Sequence, residues 1–386
     1  MRFEQLLRNF LKALGEYPEN MPLAKFLQGY FKKNKQMGSN DRRTTSRLLY
    51  NHFRLGKACT PMAPDQRLFI AEFLCSTEEN AFLDYFRPDL HEHIKESPDS
   101  KIMRLKAEGF ILEEVYPFTQ HLSAGIDKEA FLKSIFVQPD LFIRIHPGKE
   151  NLVKAKLTES DIHFTEIYPQ TLALPNGTKL HELFPAAELV PFEIQDLSSQ
   201  RTGNFFEAGE NEYWWDACAG SGGKSIHLFH SQPGIRLLVT DIRESVLTNL
   251  DARFQNAGIR VYQKKVIDLL QNPAPILHHF EFDGIILDAP CTGSGTWGRT
   301  PEMISQFHER KLMQFQGLQK TIASQVINYL KPGSPLIYIT CSVFKEENED
   351  VVNYLIREKG LKLDKMEVIK GYHEKADTMF VARLVK

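Results

Sequence analysis

The stretch Trp214–Leu228, "WWDACAGSGGKSIHL", decides the fold, because an apolar strand pattern runs there into a glycine-rich turn and then into a helix pattern. From Glu212 onward, strand and helix patterns alternate along the chain. The predicted strands are "EYWWDAC", "IRLLVTDI", "IRVYQKKVID", "FDGIILDAP" and "PLIYITCSV". This alternation predicts a Rossmann-like α/β domain over residues 201–386, with a doubly wound and mostly parallel sheet. The tail "ADTMFVARLVK" is predicted as a further strand, whose direction the sequence leaves open.

The turn has the pattern of a cofactor site. Its glycines allow a tight turn and a close approach of the backbone to a ligand. They are Gly220, Gly222 and Gly223. Asp241 ends the next strand, about twenty residues on, where a carboxylate can accept hydrogen bonds from ribose hydroxyls. Asp268 ends the strand after that, where it can meet an adenine edge. The alternative is a turn that serves packing alone and an aspartate that caps a strand.

The identity of the cofactor follows from what the turn lacks. The spacing of its glycines is neither the G-x-G-x-x-G of dinucleotide sites nor the G-x-x-x-x-G-K-[ST] of triphosphate sites. Acids near three successive strand ends, of which Asp216 is the first, favour a cofactor with a ribose and an adenine but no pyrophosphate. S-adenosylmethionine is such a molecule, so we expect a methyltransferase domain that depends on it.

Two cysteines follow the last two predicted parallel strands. Cys291 lies three residues after Asp288 in "LDAPCTGSG", and Cys341 lies fifty residues further on in "YITCS". Because the carboxyl ends of neighbouring parallel strands meet at one edge of a sheet, we expect these side chains beside the reactive end of the cofactor. The alternative for each cysteine is a small buried apolar residue. We assign that structural role to Cys59 and Cys75, in the helical half of the chain.

A thiol beside a methyl donor indicates methylation of a pyrimidine at carbon 5. Carbon 5 is a poor nucleophile, but it becomes enamine-like when a cysteine thiolate adds to carbon 6. A carboxyl group such as Asp288 can donate to nitrogen 3 of cytosine, and Lys224 can activate a thiol or orient Asp288. A methyltransferase for exocyclic amines needs no thiol, so it fits only if both cysteines are structural. The residues alone do not distinguish Cys291 from Cys341 as the nucleophile.

Three motifs resemble those of the Sun/Fmu-type, RsmB-like, RNA cytosine carbon-5 methyltransferases: "DACAGSGGKS", "LDAPCTGSG" and "YITCSVFKEENEDVV". The resemblance extends from about Gln195 to Lys386 and includes "QDLSSQ", which leads into the catalytic domain. It implies that one segment wraps the methionine part of the cofactor, namely Cys218, Ala219, Gly220, Ser221, Gly222, Gly223 and Lys224. It also implies that Asp241 binds the ribose, that Asp268 binds the adenine region, and that Asp288 lies where cofactor and base meet.

The same resemblance implies different roles for the two thiols. Cys341, in the TCS motif, is the expected nucleophile, and Cys291 is expected to assist release of the methylated product. The chain departs from the family pattern at Gly220-Ser221, where alanine-proline is usual, which puts the stiffness of the loop in doubt. In "GRTPE", Gly298–Glu302, we expect Arg299 to contact an RNA phosphate.

Residues before 201 are predicted to form two further domains. Residues 1–115 show helical periodicity, and "DRRTTSRLLYNHFRLGK" resembles a NusB-like RNA-binding domain. Residues 116–200 are predicted as a small α+β subdomain with an RNA-recognition-like topology. Between Phe31 and Lys57 the chain has eight basic residues and one acid, an excess that could follow a phosphate backbone or could be a solvated helix face. The basic residues are Lys32, Lys33, Lys35, Arg42, Arg43, Arg47, Arg54 and Lys57.

Composition limits the class of protein, its cellular location and its metal and disulfide content. With 42% hydrophobic and 25% charged residues, no apolar run long enough for a membrane span and five cysteines without a C-x-x-C pair, we expect a cytoplasmic monomer without disulfides or metal. The expected partner is RNA: ribosomal RNA first, with transfer RNA as the close alternative. A second class is an inactive RNA-binding factor in ribosome assembly, against which the intact Asp288, Cys291 and Cys341 argue.

Overall fold

The computed structural model describes residues 2–184 and 190–386, which form two compact units. The helical unit comprises the chain up to Gln120, Asp127–Gln138 and Thr296–Glu309. The catalytic unit comprises His121–Ile126, Pro139–Gly295 and Arg310–Lys386. The helical unit therefore extends past the predicted boundary at residue 115, and it also takes fourteen residues from the predicted methyltransferase domain.

The helical unit is built from amphipathic helices packed around an apolar core. Its helices are α1 Arg2–Glu16, α2 Leu23–Lys33, α3 Ser39–Arg54, α4 Pro64–Cys75, α5 Ala81–Phe86, α6 Pro88–His91, α7 Pro98–Leu105, α8 Leu112–Val115, α9 Lys128–Ser134 and α16 Glu302–Gln306. Leu6, Phe10 and Ala13 of α1 are buried, as the spacing of its apolar residues predicts. The 3₁₀ turns here are Lys106–Glu108 and Thr119–His121.

Several of the basic residues between Phe31 and Lys57 have structural partners. Arg54 is 1% exposed and donates to the carbonyl oxygens of Ile135, Val137 and Gly298, so it joins three distant stretches of the helical unit. Arg47 forms an ion pair with the buried Glu72 carboxylate. Not all eight basic residues of this segment are therefore available to bind a phosphate backbone. The exposed basic residues of the set without such partners are Lys32, Lys33, Lys35 and Arg43.

The first part of the catalytic unit is a four-stranded antiparallel sheet. Its strands are β1 Leu141–Ile145, β2 Thr165–Tyr168, β3 Thr171–Leu174 and β4 Phe192–Ile194, and its helices are α10 Glu150–Glu159 and α11 Leu180–Leu183. The strand order β2-β3-β1-β4, with a helix after β1 and another after β3, is the βαββαβ arrangement of an RNA-recognition-like fold. Helix α9, the predicted "AFLKSIF", belongs to the helical unit instead.

The second part is a seven-stranded sheet in the order β10-β11-β9-β8-β5-β6-β7. Its strands are β5 Tyr213–Asp216, β6 Arg236–Asp241, β7 Gln263–Val266, β8 Gly284–Asp288, β9 Pro335–Thr340, β10 Lys362–Lys370 and β11 Thr378–Val385. Strands β5 to β9 are parallel, whereas β11 is antiparallel to both β9 and β10. The Rossmann-like prediction is therefore confirmed, and the direction of the tail is settled as antiparallel. Strand β10 was not predicted, because its charged, exposed face lacks an apolar pattern.

Helices cover both faces of this sheet. They are α12 Leu197–Arg201, α13 Gly223–Ser231, α14 Glu244–Asn256, α15 Ala274–Leu277, α17 Arg310–Val326 and α18 Glu349–Lys359, with 3₁₀ turns at Thr202–Phe205, Ser294–Thr296, Ile327–Tyr329 and Gly371–Glu374. Trp214 and Trp215 are both fully buried and point to opposite faces, where each lies in its own core cluster. The order reverses between β5 and β8, so the edge beyond β5 is the point at which such sheets bind ligands.

Candidate active site

The glycine loop between β5 and α13 owes its shape to packing on one side and leaves space on the other. Gly222 has φ +86°, and a Cβ there would lie 2.5 Å from Phe254 Cε1 of α14. Gly220 has φ +53°, and a Cβ there would meet nothing within 4 Å. Gly222 is therefore required for close packing on α14, whereas Gly220 supplies an αL turn on the open side.

An arginine from α14 holds the part of the loop that departs from the family pattern. Arg253 donates to the carbonyl oxygen of Ser221 at 2.9 Å and also to its hydroxyl group. The same guanidinium forms an ion pair with the buried Glu193 carboxylate of β4. These bonds restrain the Gly220-Ser221 turn, although it lacks the alanine-proline pair that is usual in the family.

Asp241 lies at the end of β6, where the sequence places it, and is fixed on both sides. Its Oδ2 accepts from the Gly220 amide at 3.0 Å, and its Oδ1 accepts from the Arg243 amide at 2.9 Å. These hydrogen bonds and the Arg243 guanidinium, outweighing the effect of burial, lower the pKa of the Asp241 carboxyl. Asp241 is therefore a carboxylate at neutral pH and can accept hydrogen bonds from a ligand.

A cavity of about 430 Å³ lies along this edge of the sheet. Asp241, Asp268 and Asp288 line it together with apolar side chains, so these three of the predicted site residues lie at one space. The other lining residues are Ala217, Cys218, Ile242, Arg243, Ile267, Leu269, Leu270, Pro290, Leu318 and Ile322. Its volume lies within the range of ligand pockets. An apolar wall for a flat base, with carboxylates for hydroxyl groups, matches an adenosine moiety.

Asp216, at the end of β5, is buried and is not positioned as a ligand-binding carboxylate. Burial raises the pKa of this carboxyl to about 7, although the Ser225 hydroxyl donates to its Oδ2 at 2.6 Å. The Asp216 side chain therefore holds the first turn of α13, which follows the glycine loop, through this hydrogen bond. The sequence counted Asp216 among three acids at the edge, but the structure leaves it outside the residues that line the cavity.

The raised pKa of Asp216 predicts a pH-dependent difference in stability. An acid with a folded pKa above its unfolded value favours the folded state below the unfolded pKa, and this contribution is lost as pH rises through the folded pKa. Wild-type protein should therefore lose stability relative to Asp216→Asn between about pH 4 and pH 7, by at most about 4 kcal/mol. Denaturant unfolding of both proteins at several pH values measures this. A difference that stays constant across the range would contradict the assignment.

Lys224 and Asp288 form an ion pair at the centre of the edge. Lys224 Nζ lies 3.0 Å from Asp288 Oδ2 and donates to Ser199 Oγ at 2.7 Å. Lys224 is 7% exposed, whereas the Asp288 side chain is 31% exposed. The ammonium therefore orients one carboxylate oxygen while the other stays available to a ligand. Ser199 belongs to "QDLSSQ", whose role in holding Lys224 the sequence did not reveal.

The two thiols at the ends of β8 and β9 are neighbours. Cys291 Sγ lies 3.2 Å from Cys341 Sγ, which is hydrogen-bond distance for sulfur, and both are free cysteines. The hydrogen bond to Cys341 and then burial raise the pKa of Cys291 well above its usual value. Cys291 is therefore held as the thiol, and its S–H group can donate to the sulfur of Cys341.

A buried carboxylate connects the two cysteine loops. Glu347 Oε1 accepts from the Thr292 amide at 2.9 Å, and Glu347 Oε2 accepts from the Ser342 hydroxyl at 2.5 Å. Asn348 donates to the Ser342 carbonyl oxygen at 2.9 Å. These residues follow each cysteine directly, so Glu347 and Asn348 set the separation of the thiols. Both belong to the E-N-E element of the sequence motif, for which the sequence suggested no physical role.

Comparison with known proteins relates the catalytic unit to a methyltransferase family. A family model described as "16S rRNA methyltransferase RsmB/F" matches residues 204–385. The catalytic half of this chain is therefore similar to the RsmB/F family. The chain is 27% identical over 322 residues to Ribosomal RNA small subunit methyltransferase B of Enterobacter sp. (strain 638), covering 80% of this chain and 72% of that protein. It is 32% identical over 190 residues to the same-named protein of Salmonella heidelberg (strain SL476), covering 49% and 44%.

Solved structures show the same fold at low sequence identity. The crystal structure of PH0851 matches with a TM-score of 0.72 at 19% identity, covering 97% of this chain and 96% of that one. The structure of NSun6 from Pyrococcus horikoshii with SFG matches with a TM-score of 0.57 at 18% identity, covering 64% and 91%. The chain thus has the fold of these methyltransferases and is similar in sequence to RNA methyltransferases of the RsmB/F type, whose cofactor, S-adenosylmethionine, is also its own.

Two negative findings belong with the site. Within residues 2–184 and 190–386, no three His, Cys, Asp or Glu side chains are grouped so as to hold a metal ion. In the same residues, no helix has the length and apolar character needed to cross a membrane.

Proposed function

We propose that this protein methylates carbon 5 of a cytosine in 16S ribosomal RNA through a covalent cysteine adduct. The observation that carries the proposal is the pair of thiols 3.2 Å apart on the edge that also holds the Lys224–Asp288 ion pair. Bound S-adenosylmethionine supplies an electrophilic methyl group. The protein's own residues must make carbon 5 of the base nucleophilic enough to take it.

The two thiols have different roles: one attacks the cytosine, and the other assists release of the methylated product. Cys341 adds to carbon 6 of the cytosine, which moves electron density to carbon 5. Cys291 stays protonated, because its hydrogen bond to Cys341 and then burial raise its pKa, and its S–H group can donate to the sulfur of Cys341. After methylation the carbon-5 proton passes to solvent water, its bonding electrons re-form the 5,6 double bond, and the carbon 6–sulfur bond breaks. The Cys291 S–H group donates a hydrogen bond to the departing Cys341 sulfur.

Asp288 acts on the other side of the base. Adduct formation places negative charge towards nitrogen 3. The Lys224 ammonium can supply a proton that passes through the Asp288 carboxyl group to nitrogen 3, which leaves neutral Lys224, an Asp288 carboxylate and a neutral adduct. Lys224 binds Asp288 Oδ2 and leaves Oδ1 for the base. The hydrogen bond from Lys224 Nζ to Ser199 Oγ restrains the position of the ammonium. To reach this edge the target base must leave its stack, which costs a few kcal/mol.

A direct assay tests the proposal. Purified protein is incubated with methyl-labelled S-adenosylmethionine and unmodified 16S ribosomal RNA, with unmodified transfer RNA in parallel, and the products are mapped by bisulfite sequencing. We expect label in the ribosomal RNA and one newly protected cytosine. Label in transfer RNA alone would mean that the substrate is transfer RNA, methylated by the same chemistry. RNA binding without label in either would support the inactive assembly factor and overturn the proposal.

A further inference from the structure

The four-stranded sheet cannot bind RNA in the manner of an RNA-recognition fold. Such folds stack bases on aromatic side chains of the two central strands, on the sheet face that no helix covers. Here the central strands are β1 and β3, and the aromatic residue on that face is Phe142, which is 1% exposed. Phe142 packs with Leu197 and Ala376 of the catalytic unit. The opposite face is covered by α10.

A cavity remains open at the β3 end of this buried face. It measures about 480 Å³ and is lined by the turn between β2 and β3, by the segment that contains α12, and by one residue each of β1, α10 and α13. Arg144, Tyr168, Arg201 and His227 supply its chemistry. Glu150 also lines it, but its carboxylate accepts a hydrogen bond from Gln170.

Arg144 is a buried cation with unused hydrogen-bonding capacity. Arg144 is 4% exposed. Its Nε donates to Gln195 Oε1 at 2.9 Å, and its Nη1 forms a hydrogen bond with His230 Nδ1 at 3.1 Å. Within the described residues, Arg144 has no ion-pair partner and its Nη2 has no hydrogen-bond partner.

Burial lowers the pKa of Arg144 to about 10, so the side chain is still charged at neutral pH. The acid acting on this charge is Glu193, whose carboxylate pairs with Arg253 and His146 instead. A buried charge without a direct ion-pair partner is costly, and an anion in the cavity would supply that partner.

Tyr168 provides a flat surface beside this charge. Its side chain is 48% exposed, and the Arg201 guanidinium lies over its ring, 5.7 Å from the centroid. Arg201 Nη2 also donates to the Tyr168 hydroxyl at 3.0 Å, and an ion pair with Glu374 restrains the guanidinium. An aromatic ring restrained by a guanidinium is a platform on which any nucleobase can stack. Arg144 can meet the phosphate of the same nucleotide.

We propose that this cavity, lined by Arg144, Tyr168, Arg201 and His227, binds one nucleotide of the RNA substrate outside the reacting cytosine. The base stacks on Tyr168 and the phosphate faces Arg144. The inference rests on the proposed function for its ligand class, because it takes the substrate to be RNA. It also explains how a subdomain with a covered sheet face still contributes to RNA binding.

Equilibrium binding of unmodified 16S ribosomal RNA, measured at fixed salt without cofactor, tests the site. Tyr168→Ala should weaken binding about five- to a hundredfold, and Tyr168→Phe should keep wild-type affinity because the ring remains. The control is Met366→Ala on edge strand β10, where a side chain of similar exposure, 45%, is removed. Its dissociation constant should stay within about twofold of wild type.

Two further readouts keep the test decisive. Ultraviolet crosslinking of the same RNA should label the tryptic peptide that contains Tyr168 in wild type. Arg144→Met should reduce the slope of log affinity against log salt by about one, as expected for one lost phosphate contact. Unchanged affinity in Tyr168→Ala, with no crosslink to its peptide, would overturn the site even if Arg144→Met failed to fold. Loss of binding in Tyr168→Ala without any RNA methylation would leave this site standing and reject the proposed function.

Discussion

Cys291→Ala is expected to accumulate a covalent protein–RNA adduct, whereas Cys341→Ala should form no adduct and no product. The attacking sulfur should be Cys341, because Cys291 is held as a thiol by the contact between the two sulfurs and by burial. Removing the nucleophile should lower the rate of methylation by at least about 10⁴-fold. Removing Cys291 should instead block release, so that each enzyme molecule reacts once.

A denaturing gel of protein, labelled RNA and S-adenosylmethionine displays the adduct as a slower band. Cys75→Ala is the matched control, since Cys75 is a free cysteine in α4 of the helical unit. It should turn over as wild type does, without a persistent band. A band in Cys341→Ala and none in Cys291→Ala would reverse the two roles.

Asp288→Asn is expected to lower kcat about 100- to 10,000-fold with little change in RNA affinity. The amide preserves the shape of the side chain but cannot pass a proton on to nitrogen 3, and it removes the charge that holds Lys224 at 3.0 Å. Because the carboxyl group stabilises the adduct, the double variant Cys291→Ala/Asp288→Asn should also show a weaker adduct band than Cys291→Ala alone.

Asp283→Asn provides the matched control for this loss. Asp283 lies just before the other end of β8 and also forms an ion pair with a lysine, Lys331, at 2.6 Å. An ion pair of this kind contributes about 1 kcal/mol or less to stability, so kcat should stay within about twofold of wild type. Equal losses in the two variants would mean that Asp288 matters for folding and not for the reaction.

The active site is the part of the molecule that sequence patterns predict best. Strand, turn and helix follow each other within fifteen residues in Trp214–Leu228, so local periodicity and glycine placement suffice to predict the first edge of the site. Asp241 and Asp288 each end a strand, and Asp268 follows the end of β7 by two residues. Parallel topology alone brings strand ends to a common edge. Asp216 follows the same pattern but is buried, because its carboxyl group binds Ser225 of α13 and does not line the cavity.

The helical half shows where such patterns fail. A run of basic residues predicts a charged surface, yet Arg54 lies in the core and binds three carbonyl oxygens. The partners of Arg54 are at Ile135, Val137 and Gly298, more than eighty residues away, and no local periodicity marks them. The same long-range packing assigns Thr296–Glu309 to the helical unit, although this segment directly follows the "LDAPCTGSG" motif.

The sequence by itself determined the Rossmann-like class and the cofactor, and it predicts a set of reactive residues. Each depends on a short stretch whose residue types restrict the local backbone and chemistry. Only the tertiary structure decided that the sulfurs of Cys291 and Cys341 lie 3.2 Å apart, that Glu347 sets that separation, and that the RNA-recognition-like sheet has its aromatic face buried. These features depend on contacts between residues far apart in the chain. Such contacts arise from packing and hydrogen bonding in the folded state, which no single stretch of sequence specifies.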